Sequence, residues 1–335
     1  MSMSFMTNVG HRVAQVARFV AVVAVGVAAY LILRRLDFAA LRAALTRARP
    51  GLLLLAIGCN AGNFLFRAVM WRIMLHEERP LPIGRLVRYT VAAFAASALT
   101  PARAGEVLRL WLLRRHHQIS YARSAGAALA EKLLDGLALV VLVAPLPWLA
   151  LPLPPWTARA VFGLAIGAVT LLAGAVLITR YMRPGRRLGA FLGQISILRE
   201  PGILVKALGA ALAAGVFDLG TLWLTLGAFH ISHGFGGAAF VLLVTNAALV
   251  IPSTPGNIGA LEAGAVVALD VLGVPRPQGL AFALVYHALQ LGPLLLFAAF
   301  NLRLILGAGA LQGPDPEART GLDRRAERES PTPAE

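Results

Sequence analysis

Two polar segments interrupt long apolar stretches of the chain, and each places a carboxylate just after a break in helix-forming sequence. The first segment covers residues 99–106 and ends at Glu106, and the second covers residues 251–262 and ends at Glu262. Both contain Pro and Gly, the residues that interrupt helices. An ionisable side chain is expensive inside a bilayer, so its presence within an apolar stretch indicates a functional site.

The composition is that of a membrane protein. Of the 335 residues, 58% are hydrophobic and 14% are charged, whereas a soluble domain is nearer half apolar and a quarter charged. The net charge of +15 lies mostly in loops and at helix ends. This distribution fits the positive-inside rule and an anionic cytoplasmic leaflet better than nucleic-acid binding. We expect no sizeable soluble domain.

The apolar runs predict an all-α polytopic membrane protein with about six full transmembrane helices, since a crossing needs about 20 residues. The predicted crossings are residues 16–33, 51–74, 124–147, 157–181, 204–229 and 279–305. Two pairs of shorter segments flank the polar breaks, at residues 86–100 with 105–115 and 237–251 with 257–272. A transmembrane domain would thus cover residues 1–311, and the Pro- and charge-rich residues 312–335 would be a disordered tail.

One spacing recurs in the two halves of the chain. The separation of Glu131 from Glu106 along the sequence equals the separation of His287 from Glu262. Glu106 and Glu262 are therefore separated by the same number of residues as Glu131 and His287. Matching interruptions in the two halves of a membrane protein are typical of a transporter repeat.

The predicted repeat halves are residues 51–181 and 204–306. The short arms have about 15 residues, so both broken pairs are predicted to be re-entrant hairpins that enter from opposite sides, as an inverted repeat requires. The basic loop 180–206 would then face the cytoplasm, and the basic stretch 34–50 would face outward. If the 86–100 arm instead crosses fully, that basic stretch moves inside and the N-terminus moves outside.

The first break carries charges suited to a polar headgroup. Arg103 lies three residues before Glu106, and Arg109 lies three residues after it on the same helix face. A buried helix N-terminus and the Arg103 guanidinium would both suit a phosphate. The alternative is an internal ion pair that only neutralises charge.

Glu131 and Asp135 are four residues apart in a predicted crossing and share one face. They must face protein or water, because carboxylates against lipid would be costly. Arg109 or Arg67 could pair with them. A role in transport and a purely charge-satisfying role both fit this pattern.

In the second break, Glu262 and His287 would come together if the halves mirror one another. Such a pair could titrate near neutral pH and couple transport to protons, although His287 could also be a hydrogen-bonded core histidine. The expected hairpin tips contain the helix-interrupting residues Pro101, Gly105, Pro252, Pro255, Gly256 and Gly259. Asp218, and Asn63 with Arg67, are further polar residues in predicted crossings, and they rank below the two breaks.

Signatures of common enzymes are absent from the sequence, including zinc-protease, nucleophile-elbow, phosphate-loop and dinucleotide-binding motifs. Cys59 is the single cysteine, which excludes intramolecular disulfides and thiolate clusters. The pair His116-His117 is more typical of an interfacial helix end than of a metal site. We therefore expect no cofactor, no metal and no nucleic-acid partner.

Three motifs in order carry a family resemblance. They are Pro101-x-Arg103-x-Gly105-Glu106-x-x-Arg109, Glu131-Lys132-x-x-Asp135 and Pro252-x-x-Pro255-Gly256-x-x-Gly259-x-x-Glu262. Together they make residues 15–306 resemble the lysylphosphatidylglycerol synthase transmembrane-region family of flippase-like integral membrane proteins. Asn257 stands where that family usually has Gly, and His287 stands where Arg is common. The second difference favours a pH-dependent role.

The resemblance implies a lipid transporter of the bacterial cytoplasmic membrane, with an aminoacyl-phospholipid, a hopanoid or a related lipid as cargo. The two hairpins would meet near the bilayer centre, and the headgroup would be handled by Arg103, Glu106, Arg109, Glu131, Asp135, Glu262 and His287. The synthase domain of two-domain members is missing here, so we expect no lysyl transfer and favour a transporter over an enzyme. The alternatives are a lipid-modifying transferase with a glutamate base, or a non-catalytic partner of lipid, hopanoid or glycosyltransferase enzymes.

Overall fold

The architecture of the chain comes from a computed structural model. It describes residues 42–43, 46–75, 81–100, 105–149, 153–181, 191–193, 195, 199–250 and 255–300. These residues are largely helical, and no β-strand occurs among them. The predicted all-α class is therefore confirmed.

The helices follow the predicted apolar segments to within a few residues. Their bounds are α1 (Pro50–Met74), α2 (Ile83–Leu99), α3 (Gly105–His117), α4 (Tyr121–Val143), α5 (Trp156–Tyr181), α6 (Pro201–Ala228), α7 (Gly234–Val250), α8 (Ala260–Val271) and α9 (Arg276–Phe300). A short 3₁₀ turn, Pro255–Asn257, lies in the second break. The predicted crossing 16–33 and the polar tail 312–335 lie outside the described residues.

Four of the described helices are long and apolar enough to cross a membrane, namely α1, α5, α6 and α9. Helix α4 has 23 residues but carries Glu131, Lys132 and Asp135, so it is more charged than an ordinary crossing. Helices α2 and α7 have 17 residues each, fewer than the about 20 that a crossing needs. The chain is therefore a multi-pass membrane protein whose short helices flank the two breaks.

The order of helices in residues 50–143 recurs in residues 201–300. The starts of α1 and α6 are separated by the same number of residues as the starts of α2 and α7. The starts of α3 and α8, and those of α4 and α9, are separated by a second, slightly larger number of residues. Helices α2 and α7 are equal in length, and α3 and α8 have 13 and 12 residues. Each half thus consists of a long helix, a short helix, a break, a second short helix and a second long helix.

The two halves meet along α1 and α6, which run antiparallel. At one end the Arg49 N–H donates to the Ala228 carbonyl (3.0 Å), and near the middle Asn63 Nδ2 donates to the Ala214 carbonyl (2.9 Å). Asn63 and Ala214 are separated along the chain by the same number of residues as the starts of α1 and α6, so they hold equivalent positions on these two helices.

The last long helix of each half also packs against helices of the other half. Helix α4 packs on α6, and α9 packs on α1 and α2. The 3₁₀ turn of the second break rests against the end of α2, where Gly256 approaches Ala98 and Leu291. The tip of the second hairpin therefore lies beside the point where the first hairpin breaks.

The two short-helix pairs are closely packed because small residues line their interfaces. A Cβ atom at Gly105 would collide with the Ala93 carbonyl oxygen and with Ser97. In the second half, a Cβ atom at Gly264 would lie 2.9 Å from the Ala248 Cβ. Small residues let helix backbones approach closely in membrane proteins, where apolar side chains gain little by leaving lipid.

Candidate functional site

Charged side chains from α1, α3 and α4 form one buried network in the first half. Glu131 is fully buried, and Arg109 Nη2 donates to its Oε2 over 2.7 Å. Arg67 Nη1 lies 3.3 Å from Glu131 Oε1 and donates to Asp135 Oδ2 over 2.8 Å. We call Arg67, Arg109, Glu131 and Asp135 the first-half network. Its charges balance, as burial of ions requires.

Both guanidinium groups of this network have further contacts that fix their positions. Arg109 is 2% exposed, and its guanidinium carbon lies 4.1 Å from the centre of the Trp71 ring, a cation–π contact. Arg67 Nε donates to Asn63 Oδ1 over 3.1 Å. Since Asn63 also donates to the Ala214 carbonyl of α6, the network is tied to the contact between α1 and α6.

Glu106 lies at the edge of the network and pairs with Lys132. Lys132 Nζ lies 3.0 Å from Glu106 Oε1, and these side chains are 42% and 38% exposed. An internal pair of Glu106 with Arg109 was the alternative left open on sequence grounds, but Arg109 instead binds the buried Glu131, one of the pairings that the sequence offered. A fully buried carboxylate needs a cation more than a half-exposed one does, which accounts for the difference.

The second half has its own network of three contacts around His287. His287 Nδ1 lies 2.6 Å from Glu262 Oε1, and His287 Nε2 lies 2.9 Å from the Gly256 carbonyl oxygen. The Gly259 N–H donates to Glu262 Oε2 over 2.7 Å, which caps the start of α8. We call Glu262, His287, Gly256 and Gly259 the second-half network. It links α9 to α8 and to the hairpin tip.

The tip of the second hairpin depends on left-handed backbone. Gly256, Asn257 and Gly259 have φ values of 71°, 57° and 93°. Gly adopts this region freely, and Asn is several-fold enriched there among other residues. Asn257 therefore takes a conformation that Gly would also adopt, so a side chain at this position leaves the tip intact. Pro255 begins the 3₁₀ turn.

Three of the residues expected at the breaks, Pro101, Arg103 and Pro252, lie outside the described residues. Gly105 is the first residue of α3 and is buried against α2. The described part of the site thus comprises the two networks, Glu106 with Lys132, and the second hairpin tip.

Two residues that ranked low on sequence grounds lie on the two helices that join the halves. Asp218 and Arg67 are separated by the same number of residues as the starts of α6 and α1, so the two occupy equivalent positions on these helices. The signal that could have identified them is the equal offset, which becomes visible only when the starts of the helices are known.

The histidine pair at the end of α3 lies away from both networks. His116 Nδ1 is 2.9 Å from the Tyr89 hydroxyl, and His117 Nε2 is 3.4 Å from the same oxygen. Burial, followed by Arg115 and Arg85, lowers the pKa of His116, so this ring is neutral at pH 7. Within the described ranges, no three His, Cys, Asp or Glu side chains are grouped so that they could hold a metal ion.

Comparison with known proteins gives one match. The family model described as "Lysylphosphatidylglycerol synthase TM region" matches residues 18–298 of the chain. The matched range contains both networks and all but the last residues of α9. Curated proteins and solved structures yield no match.

Proposed function

The chain belongs to the lysylphosphatidylglycerol synthase transmembrane-region family, and from this premise we propose that it moves a polar-headgroup lipid between the leaflets of a bacterial cytoplasmic membrane. Membership of the family fits a membrane protein related to lipid modification or transport. The choice of transport rests on the arrangement of the two halves and on where the buried charges lie.

The proposed topology is an inverted repeat with six full crossings and two re-entrant hairpins, α2 with α3 and α7 with α8. The antiparallel packing of the equivalent helices α1 and α6 supports this topology, because it turns one half over relative to the other. The 17-residue length of α2 and α7 supports re-entry rather than crossing. Broken helices at membrane depth are tolerated where protein or a wet cavity surrounds them.

One observation carries the proposal more than the others. In each half, a side chain of the last long helix bonds to the short helix that follows the break, as Glu131 does with Arg109 and His287 with Glu262. Repeated sites at broken helices near the interface between halves are where transporters bind their substrates. Buried charges that only held helices together would not need to recur at both breaks.

In this proposal the lipid headgroup enters between the two hairpins while its acyl chains stay in the bilayer. The two networks, together with Arg103 and Glu106, supply charges to the headgroup, and rocking of the halves exposes the site to each leaflet in turn. The sequence has no nucleotide-binding motif, so the driving force would be protons, membrane potential or the lipid gradient itself. Enzymes of lipid biosynthesis or glycosyl transfer would be partners that supply the cargo.

The experiment compares leaflet distributions in a strain that lacks the gene and carries wild-type, Glu106→Gln, Glu262→Gln or Asp270→Asn protein. Asp270 forms an exposed pair with Arg276 at the far end of α8, so its variant is the matched control. Lipids are quantified in total and again after reaction of intact cells with a membrane-impermeant amine reagent or with periodate. We expect wild type and the control to restore the outer-leaflet fraction, and the two glutamine variants to lose at least about tenfold in rate, equivalent to about 1.4 kcal/mol.

An unchanged lipid composition with a shifted outer fraction would support transport and identify the cargo. A lipid species that appears or disappears from the total would instead indicate a lipid-modifying enzyme or a partner in biosynthesis. Full activity of both glutamine variants at normal membrane levels would show that the breaks do not handle the headgroup.

A further inference from the structure

The His287 ring has an oxygen acceptor at each of its two nitrogens. Glu262 Oε1 lies 2.6 Å from Nδ1, and the Gly256 carbonyl oxygen lies 2.9 Å from Nε2. Both side chains are largely buried, with exposed fractions of 7% for His287 and 11% for Glu262. Water can therefore replace neither oxygen as a partner of the ring unless the hairpin moves.

These contacts fix the number of protons that the pair must hold. A neutral imidazole has one N–H, so beside an ionised Glu262 it could satisfy only one of the two oxygens. The other contact would then bring two lone pairs together at hydrogen-bond distance. Either an imidazolium with an ionised glutamate, or a neutral imidazole with a protonated glutamate, satisfies both. In both forms the pair carries one proton more than the fully deprotonated pair.

Among the described residues, no other positive charge is seen in contact with the Glu262–His287 pair. Helix α7, which packs on α8, carries no ionisable residue along its length, and the half of α2 that meets the hairpin tip carries none either. Helix α6 carries Asp218 and helix α9 carries Tyr286, neither of which is a cation at neutral pH, and Arg67 of α1 is already held by Glu131 and Asp135. On α8 itself, Asp270 pairs with Arg276 at the opposite end.

The equivalent position in the first half behaves differently. Glu131, which follows Glu106 at the same spacing as His287 follows Glu262, is held by Arg109 and Arg67. Guanidinium groups keep their protons at all accessible pH values, so the first-half network has a fixed charge. The second half instead has a histidine, whose imidazole can exist with one or with two ring protons.

We propose that the Glu262–His287 pair is the binding site of a coupling proton, and that release of this proton to water frees the second hairpin tip from α9. This inference rests on the proposed transport function. With the proton bound, the pair is neutral overall and His287 holds the Gly256 carbonyl. Without it, a buried carboxylate is left uncompensated and one of the two contacts becomes repulsive, so the tip separates from the helix.

The protonation state can be measured without any substrate. The whole protein, labelled with ¹⁵N-histidine and placed in lipid nanodiscs at about pH 6, gives ring signals for His287 that are identified by their loss in His287→Gln. We expect one of two results. Either the spectrum shows a proton on both ring nitrogens of His287, or it shows a neutral ring and the infrared spectrum has a carboxylic-acid band that disappears in Glu262→Gln. Both results support the proposal. A neutral ring beside an ionised Glu262 would overturn it.

The link to transport is tested with NBD-labelled phosphatidylglycerol in vesicles of phosphatidylethanolamine and phosphatidylglycerol, with dithionite as the leaflet reagent. We expect the wild-type rate to change about tenfold between pH 5 and pH 8. His287→Arg and His287→Gln should remove that dependence. His230→Gln, whose exposed ring contacts only the Arg47 carbonyl among the described residues, should retain it.

The two measurements separate the proposals. A pH dependence retained in His287→Gln would overturn the coupling proton even though transport occurs. A protein that moves no probe lipid at any pH, while His287 shows the expected protonation, would count against the transport function and leave the proton site standing.

Discussion

Replacement of Glu131 by Gln is expected to destabilise the protein by about 3–5 kcal/mol, the cost of breaking a buried ion pair. Glu131 is fully buried and accepts from two guanidinium groups, at 2.7 Å from Arg109 and 3.3 Å from Arg67. The amide keeps the shape of the carboxylate but brings an NH₂ group against at least one of these donors. The measurement is thermal unfolding of the purified protein in detergent.

The matched control for this prediction is Glu106→Gln, the same substitution at the edge of the same network. Glu106 and its partner Lys132 are each more than a third exposed, so the loss should be no more than about 1 kcal/mol. Equal losses of stability in the two variants would show that Glu131 is not the buried anchor of the network.

A double variant separates the ion pair from a general loss of packing. Arg109→Gln alone leaves Glu131 with only the longer contact to Arg67, so it should also be strongly destabilising. Glu131→Gln combined with Arg109→Gln removes both charges, and it should cost clearly less than the sum of the single changes. Additive losses would argue that the two residues stabilise the fold independently.

Replacement of Gly105 by Ala is expected to destabilise the protein by about 1–3 kcal/mol through overpacking. The added methyl group would meet the Ala93 carbonyl oxygen and the backbone of Ser97. Backbone atoms cannot move aside as a flexible side chain can, so α3 must separate from α2. The measurement is again thermal unfolding, together with the yield of correctly inserted protein.

Gly136→Ala is the control for this second change, since a Cβ atom there meets nothing within 4 Å. Gly136 lies inside α4, where Ala is favoured over Gly by about 1 kcal/mol. The control should therefore be neutral or stabilising. If Gly105→Ala proves as harmless as Gly136→Ala, the close contact between α2 and α3 is not needed for the fold.

The sequence was sufficient to predict the helices because they are encoded locally. Apolar length and the Pro and Gly breaks determine where each one starts and stops, so the predicted short arm 86–100 corresponds to Ile83–Leu99. The spacing of Glu106, Glu131, Glu262 and His287 likewise indicated two related halves. Such features depend on neighbours along the chain, and they require no knowledge of packing.

The pairing of charges could be predicted only in part. The sequence offered Arg109 and Arg67 as partners of Glu131 and Asp135, and the structure confirms these pairs. It did not indicate Lys132 as the partner of Glu106, because closeness along the chain does not decide which side chains are buried together. Arg67 and Asp218 gain their significance from the contact of α1 with α6, which brings together residues that are far apart in the sequence. Long-range packing of this kind leaves no local signature in a single sequence.

The antiparallel contact of α1 and α6 joins two halves that differ in charge at equivalent positions. Arg67 on α1 and Asp218 on α6 are separated by the same number of residues as the starts of these helices, so a cation in one half corresponds to an acidic residue in the other. Neither half could therefore be exchanged for a second copy of the other without a change of charge at this contact.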